Sequence, residues 1–274
     1  LYTEHQAEAV TKPKIGIPIP TSIDLAYNQR SWPAYAAAVT LAGGEPVEID
    51  LTPPLESQHA LFEDCSGFLL PGSPADIEPS LYDTPRMEAC GPADTLREQI
   101  DFAILQHARE TGKPLLGICF GCQSMNTFYG GALIQDLSPL PVNHEAGAKV
   151  AVAHTALIPR DSLLGSIILG DANALTEATP PAGSSTPTAF LRLPINTSHH
   201  QSVATTGSSL RIVAHCPDDE VIEAIEVTAL FHVEHPGFLL GVQWHPERSV
   251  DISATSRALF ARLIVEAGHY AITH

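Results

Sequence analysis

Residues 113–131, KPLLGICFGCQSMNTFYGG, place a cysteine between two glycines at the end of an apolar run. Gly117, Cys119 and Gly121 make a G-x-C-x-G pattern, the thiol version of a nucleophile elbow. In such an elbow a buried strand turns sharply into a helix and lifts the central residue into the mouth of a sheet. Glycine is needed on both sides because so tight a turn leaves no room for side chains. A thiol at a helix N-terminus meets orphan N–H groups and the positive end of the helix dipole, which favour thiolate over thiol. Most free cysteines are small buried hydrophobes, so the pattern acquires chemical meaning only if a base can reach it. Cys119 and Cys122 also form a C-x-x-C, but redox pairs usually lack the flanking glycines of an elbow.

A base is offered by residues 240–247, LGVQWHPE. His245 follows a strand-like run, and Glu247 can turn back to the imidazole because Pro246 fixes the backbone between them. A nucleophilic thiol needs such a ring to take its proton, and the ring needs an acid to hold its tautomer. The chain has 13 histidines, so a single His-x-Glu carries little weight alone. His199 and His200 are adjacent, which on a strand turns the two rings to opposite faces, away from a shared ion. His232 and His235 form an H-x-x-H without a third ligand at the usual spacing, and HExxH does not occur, so no metal is expected. Without a P-loop or a G-x-G-x-x-G, no nucleotide cofactor is expected either.

These residues need a frame, and the first half of the chain supplies an alternating one. Residues 14–20 read as a strand, 32–42 as a helix stopped by Gly43 and Gly44, and 45–51 and 67–70 as strands. Residues 94–111 carry Leu96, Ile100, Ala103, Ile104 and His107 at helical spacing, stop at Gly112, and lead into the apolar 115–118. Alternation of this kind implies a parallel sheet covered on both faces. Beyond Gly130 and Gly131 the strand-like stretches 149–157, 210–214, 221–227 and 239–243 suggest an antiparallel extension or hairpins. Residues 171–189, rich in Ala, Thr, Pro and Ser, read as a surface loop, and 253–268 as a closing helix.

The 274 residues carry a net charge of −17, with 44% hydrophobic and 16% charged side chains, enough apolar material for a sizeable core. A disordered chain is excluded. The acidic balance argues against binding a phosphate backbone, and no apolar stretch approaches the roughly 20 residues that cross a bilayer. Five cysteines, an odd number, suit a reducing compartment, the cytoplasm by default. The whole of 1–274 is expected to be one domain, with 1–12 as a tail lacking the pattern of a secretory signal.

With the elbow and the His-x-Glu in this order on a β/α chain, the sequence resembles the class I glutamine amidotransferase superfamily, above all its γ-glutamyl hydrolase branch. That branch comprises the peptidase C26 proteins, which include γ-glutamyl-γ-aminobutyrate hydrolases. Residues 69–82, LLPGSPADIEPSLY, are similar to the family's Leu-Pro-Gly oxyanion strand with its Asp-x-x-Pro-x-x-Tyr continuation. Residues 197–201, TSHHQ, are similar to its His-His-Gln signature, and the helix at 97–101 ahead of the nucleophile strand also fits. The likeness spans about residues 14–268.

The resemblance implies an α/β, flavodoxin-like three-layer sandwich with a mostly parallel central sheet and an antiparallel extension. It implies that Cys119 attacks the δ-carbonyl of a γ-glutamyl amide, that His245 moves the proton, and that Glu247 orients His245. The N–H groups of Gly72 and Phe120 would form the oxyanion hole. Gln123, Ser73, His199, His200 and Gln201 would build the substrate pocket, and water would release glutamate from the thioester. The implied partner is a small γ-glutamyl molecule, with no cofactor, nucleic acid or membrane, and with room for a homodimer. Two other readings stand beside it: a glutaminase subunit supplying ammonia to a separate synthase, and a non-catalytic protein that binds a γ-glutamyl metabolite. Phe120 departs from the branch, where a basic or other long side chain commonly follows the nucleophile, as do Cys122 and Ser73-Pro74 in place of a plain Gly-Gly.

Overall fold

The computed structural model describes residues 11–169, 176–178, 189–228 and 237–273. Strands and helices alternate first: β1 (Lys14–Pro18), α1 (Leu25–Leu41), β2 (Glu45–Ile49), α2 (Leu55–Asp64), β3 (Gly67–Leu70), α3 (Thr95–Thr111), β4 (Leu115–Ile118) and α4 (Phe120–Phe128). There follow β5 (Ala132–Ile134), β6 (His154–Pro159), α5 (Leu163–Ile168), β7 (Thr176–Ala178), β8 (Phe190–Ile195), β9 (Ser202–Thr205), β10 (Leu210–His215), β11 (Ile222–Val227), β12 (Leu239–Val242) and α6 (Ala254–Thr273).

The twelve strands among the described residues join one sheet, with a parallel part ordered β2-β1-β3-β4-β12. From β12 onward the pairing is antiparallel, through β11, β10, β6, β8 and β7, with β9 and β5 branching from β11. Successive residues of a strand face opposite sides. Leu69, Leu116 and Leu240 accordingly pack against α1, α5 and α6, whereas Phe68, Leu70 and Leu115 pack against α2, α3 and α4. Burial on both sides is why these strands are apolar runs rather than alternating ones. Among the described residues no helix is long and apolar enough to cross a membrane.

The structure departs from the sequence reading at several points. Helix α1 starts at Leu25 rather than near residue 32, because the Asp24 side chain caps it by accepting from the Tyr27 N–H, and Pro33 sits inside it. The stretch 239–243 becomes β12, which pairs parallel with β4 on one side and antiparallel with β11 on the other. It is therefore the junction of the two sheet types. Of the expected surface loop 171–189, residues 176–178 instead form β7, an edge strand on β8. The rest of that stretch apart from residue 189, residues 1–10 of the expected tail, and His232 to His235 lie outside the described residues.

Where β4 turns into α4 the packing is tight. A Cβ at Gly117 would stand 2.7 Å from the Gly121 carbonyl oxygen, and one at Gly121 would collide with the Leu70 carbonyl oxygen on β3. Backbone cannot yield as a flexible side chain can, so Gly121→Ala is expected to lower stability by about 1–3 kcal/mol or more in urea unfolding. Gly268 of α6 has open space around its Cβ position. Gly268→Ala should therefore raise stability by roughly 0.5–1 kcal/mol, the helix preference for alanine.

Candidate active site

In parallel sheets, sites form beyond the carboxyl ends of the strands. Strands β3, β4 and β12 are neighbours, with Leu70 opposite Gly117 and Ile118 opposite Val242. The segments leaving them thus emerge side by side. Cys119 continues this register by donating its N–H to the Val242 carbonyl at 2.8 Å. Its backbone is left-handed, φ 53° and ψ −106°, immediately before α4. For a residue with a side chain such a conformation costs roughly 1–3 kcal/mol.

His245 leaves β12 beside it. Asn196 clamps the His245 backbone from both sides, accepting from its N–H and donating to its carbonyl, each at 2.8 Å. The ring Nδ1 lies 2.8 Å from Glu247 Oε1, both side chains being buried, and Arg248 Nε stands 3.4 Å from the same oxygen. A Cβ at Gly72 would come within 2.9 Å of His245 Cε1, 3.0 Å of the Tyr35 hydroxyl and 3.5 Å of Cys119 Cβ. Imidazole and thiol thus bracket one point over a bare glycine. Burial pushes the ring toward its neutral form, but the Glu247 carboxylate and the adjacent Cys119 outweigh it and raise the pKa of His245 from 6.5 to about 9.

One of the sequence expectations changes. The Gly72 N–H is not free to bind an oxyanion, because it donates to the Tyr35 hydroxyl at 3.0 Å. The next amide, that of Ser73, has no hydrogen bond to a described residue, and Ser73 faces the cavity. Phe120 keeps the first N–H of α4, which has no intrahelical partner. Its ring is buried, with the Arg97 guanidinium carbon 4.9 Å from the ring centre, which accounts for an aromatic side chain there. Cys122 lies inside α4 against Gly241, where burial pushes its thiol well above the usual range, and all five cysteines are free.

A cavity of about 240 Å³ opens above Cys119. Ser73, Gln123, His199, His200 and Gln201 all line it, together with Asp76 and Glu145. Gln123 donates to the Gln201 carbonyl at 3.0 Å and to Gln243 Oε1 at 3.2 Å, so its amide is already oriented. The two adjacent histidines part company, although they lie in the loop between β8 and β9 and not on a strand as expected. His200 Nε2 pairs with Asp76 Oδ1 at 2.9 Å, which raises its pKa, while His199 turns inward and donates from Nδ1 to the Gln201 carbonyl at 2.9 Å. Tyr35 and Asn196 were not singled out from sequence. Asn196 stood one residue before the TSHHQ run, but Tyr35 had no local signal at all.

The sequence profile of peptidase C26 matches residues 20–247. The chain belongs to the peptidase C26 family. It is 29% identical over 248 residues to γ-glutamyl-γ-aminobutyrate hydrolase PuuD of Escherichia coli K12, covering 86% of this chain and 85% of that protein. It is also 28% identical over 237 residues to protein NtpR of Enterococcus hirae, covering 85% and 87%. Among solved structures it is similar to the glutaminase domain of Trypanosoma brucei CTPS with bound acivicin, with a TM-score of 0.54, 15% identity and 94% of each chain covered. The last likeness concerns the fold, a flavodoxin-like α/β arrangement. The chain is thus a class I glutamine amidotransferase-like hydrolase of the C26 family.

The His245–Glu247 contact sets the charge of the site, and its sign is testable. A carboxylate favours imidazolium, so removing its charge must lower the pKa of the ring. Ring nitrogen shifts of His245 should titrate near 9 in the wild type. They should move to clearly lower pH in Glu247→Gln. An unchanged midpoint would mean that Glu247 does not set the charge of the imidazole.

Proposed function

We propose that this C26 protein hydrolyses γ-glutamyl amides, γ-glutamyl-γ-aminobutyrate or a related γ-glutamyl amine, through a thioester on Cys119. The observation that carries this reading is the left-handed Cys119 standing beside a buried imidazole whose far nitrogen is held by Glu247 at 2.8 Å. The likeness to PuuD supports the substrate class.

In the first step the Cys119 sulfur bonds to the δ-carbonyl carbon, its proton having passed to His245. The carbonyl oxygen becomes an oxyanion, held by the Phe120 and Ser73 N–H groups. As the C–N bond breaks, His245 returns the proton to the leaving amine. In the second step His245 takes a proton from water, the hydroxide adds to the thioester carbon, the C–S bond breaks, and the proton returns to sulfur. Glu247 keeps the reacting nitrogen of His245 turned to the thiol throughout. Gln123 and the 199–201 wall would hold the glutamyl part. Five free thiols fit a reducing compartment such as the cytoplasm.

Turnover of γ-glutamyl-γ-aminobutyrate, other γ-glutamyl amines and free glutamine by the isolated chain tests this reading. The wild type should release glutamate with a burst of amine, and Cys119→Ala should fall by about 10³-fold or more. Equal rates would remove Cys119 from the mechanism. Glutaminase activity that appears only with an added synthase would favour an ammonia-supplying subunit, and binding of the substrates without turnover would favour a metabolite-binding protein.

A further inference from the structure

Behind the His199 wall of the cavity, four side chains from separate segments converge. His144 lies between β5 and β6, His154 opens β6, His199 lies between β8 and β9, and Glu223 is on β11. Their side chains are 2%, 4%, 2% and 0% exposed. His144 Nδ1, His154 Nε2 and His199 Nε2 stand 3.3, 3.5 and 3.9 Å from Glu223 Oε1. Among the described residues, none of these nitrogens and neither carboxylate oxygen has a well-aligned hydrogen-bond partner, His144 and Glu223 facing each other as an ion pair.

The outer ring nitrogens explain which way the lone pairs point. His144 Nε2 lies 2.8 Å from Asp219 Oδ2, and His199 Nδ1 lies 2.9 Å from the Gln201 carbonyl. Both partners only accept, so these nitrogens carry protons, which leaves His199 Nε2 a lone pair and gives His144 Nδ1 one when that ring is neutral. His154 Nδ1 leans on the Thr155 carbonyl at 3.4 Å in the same sense. Buried lone pairs gathered around a carboxylate are costly unless positive charge stands among them. One proton can bridge one such pair, whereas a cation serves His144, His199 and Glu223 together.

The geometry also has the right scale. Zinc bonds of about 2.0–2.1 Å in a tetrahedron set neighbouring ligand atoms about 3.3 Å apart. The observed separations begin at that value. Ligating atoms of His144, His199 and Glu223 all fall within 4.8 Å of one another. Outer nitrogens anchored to a carboxylate and a carbonyl are the arrangement that ligating histidines show.

We propose that His144, His199 and Glu223 form a structural site for a divalent first-row cation, zinc by its donor set, with water in the fourth position. Such a site would tie the His144 segment and the 199–201 wall to β11. It stands on this geometry alone and does not depend on the chemistry proposed for Cys119.

Full-chain Cys119→Ala protein removes the active-site thiol as a rival ligand. After stripping with dipicolinate it should bind one equivalent of Zn²⁺, with a melting temperature raised by several degrees. Co²⁺ should give the strong visible bands of a tetrahedral site and no near-ultraviolet thiolate band. Glu223→Gln and His144→Ala, if folded by circular dichroism, should lose stoichiometric binding. If those variants do not fold, the Cys119→Ala titrations decide. No binding at micromolar Zn²⁺ with an unchanged melting temperature would overturn the proposal and leave protons holding the cluster. A thiolate–cobalt band, which Cys216 beside His144 and Asp219 would produce, or undiminished binding by folded Glu223→Gln, would overturn this ligand set.

Discussion

Holding Cys119 in a left-handed backbone conformation requires that neither end of the β4–α4 turn can move. Strand β4 is fixed on both edges, by β3 and by β12, and the Cys119 N–H extends the β12 ladder by one more hydrogen bond. On the helix side, Gly121 lies against the Leu70 carbonyl, closer than any side chain could come. The first turn of α4 is closed by the Gln123 N–H donating to the Cys119 carbonyl at 3.1 Å. A strained residue persists only where its surroundings over-determine it. Here three strands and two glycines do so.

The same region is tied together by one buried cation. Arg97 on α3, wholly buried, pairs with Asp101 at 2.7 Å and donates to the carbonyls of Pro20 and Pro71 at 2.8 and 2.6 Å. Asp101 accepts in turn from Ser124 of α4 at 2.7 Å. The ends of β1 and β3, the helix α3 and the helix behind Cys119 thus share one network. Leaving any partner of a buried charge unpaired is strongly destabilising, so the network resists partial disassembly. Pro71 immediately precedes Gly72, and Phe120 lies under the guanidinium. Both flanks of the thiol are therefore positioned by a residue that never reaches the cavity.

Much of the frame was legible because it rests on local rules. Strands β3 and β4 matched the apolar runs at 67–70 and 115–118, and α3 began at its Asp94 cap and ended at Gly112. What escaped notice was either short or distant. Helix α5 and strands β5, β7 and β9 have six residues or fewer and little periodicity to detect. The early start of α1 depended on a single Asp24 cap ahead of an interior proline, which normally argues against helix. Tyr35 taking the Gly72 N–H, and the buried group around Glu223, join residues dozens of positions apart. No pattern in the chain marks such pairs.

By itself the sequence determined that a thiol stands on a tight strand-to-helix turn, and that an imidazole and a carboxylate two residues apart can pair. Both follow from local sterics: glycines flanking Cys119, and Pro246 between His245 and Glu247. Only the tertiary structure decided that these two pieces meet. Strand order is set by long-range packing and hydrogen bonding, and β12 could have joined the antiparallel strands alone. It pairs instead beside β4 with Val242 opposite Ile118, so that both chains leave the sheet at the same end and level.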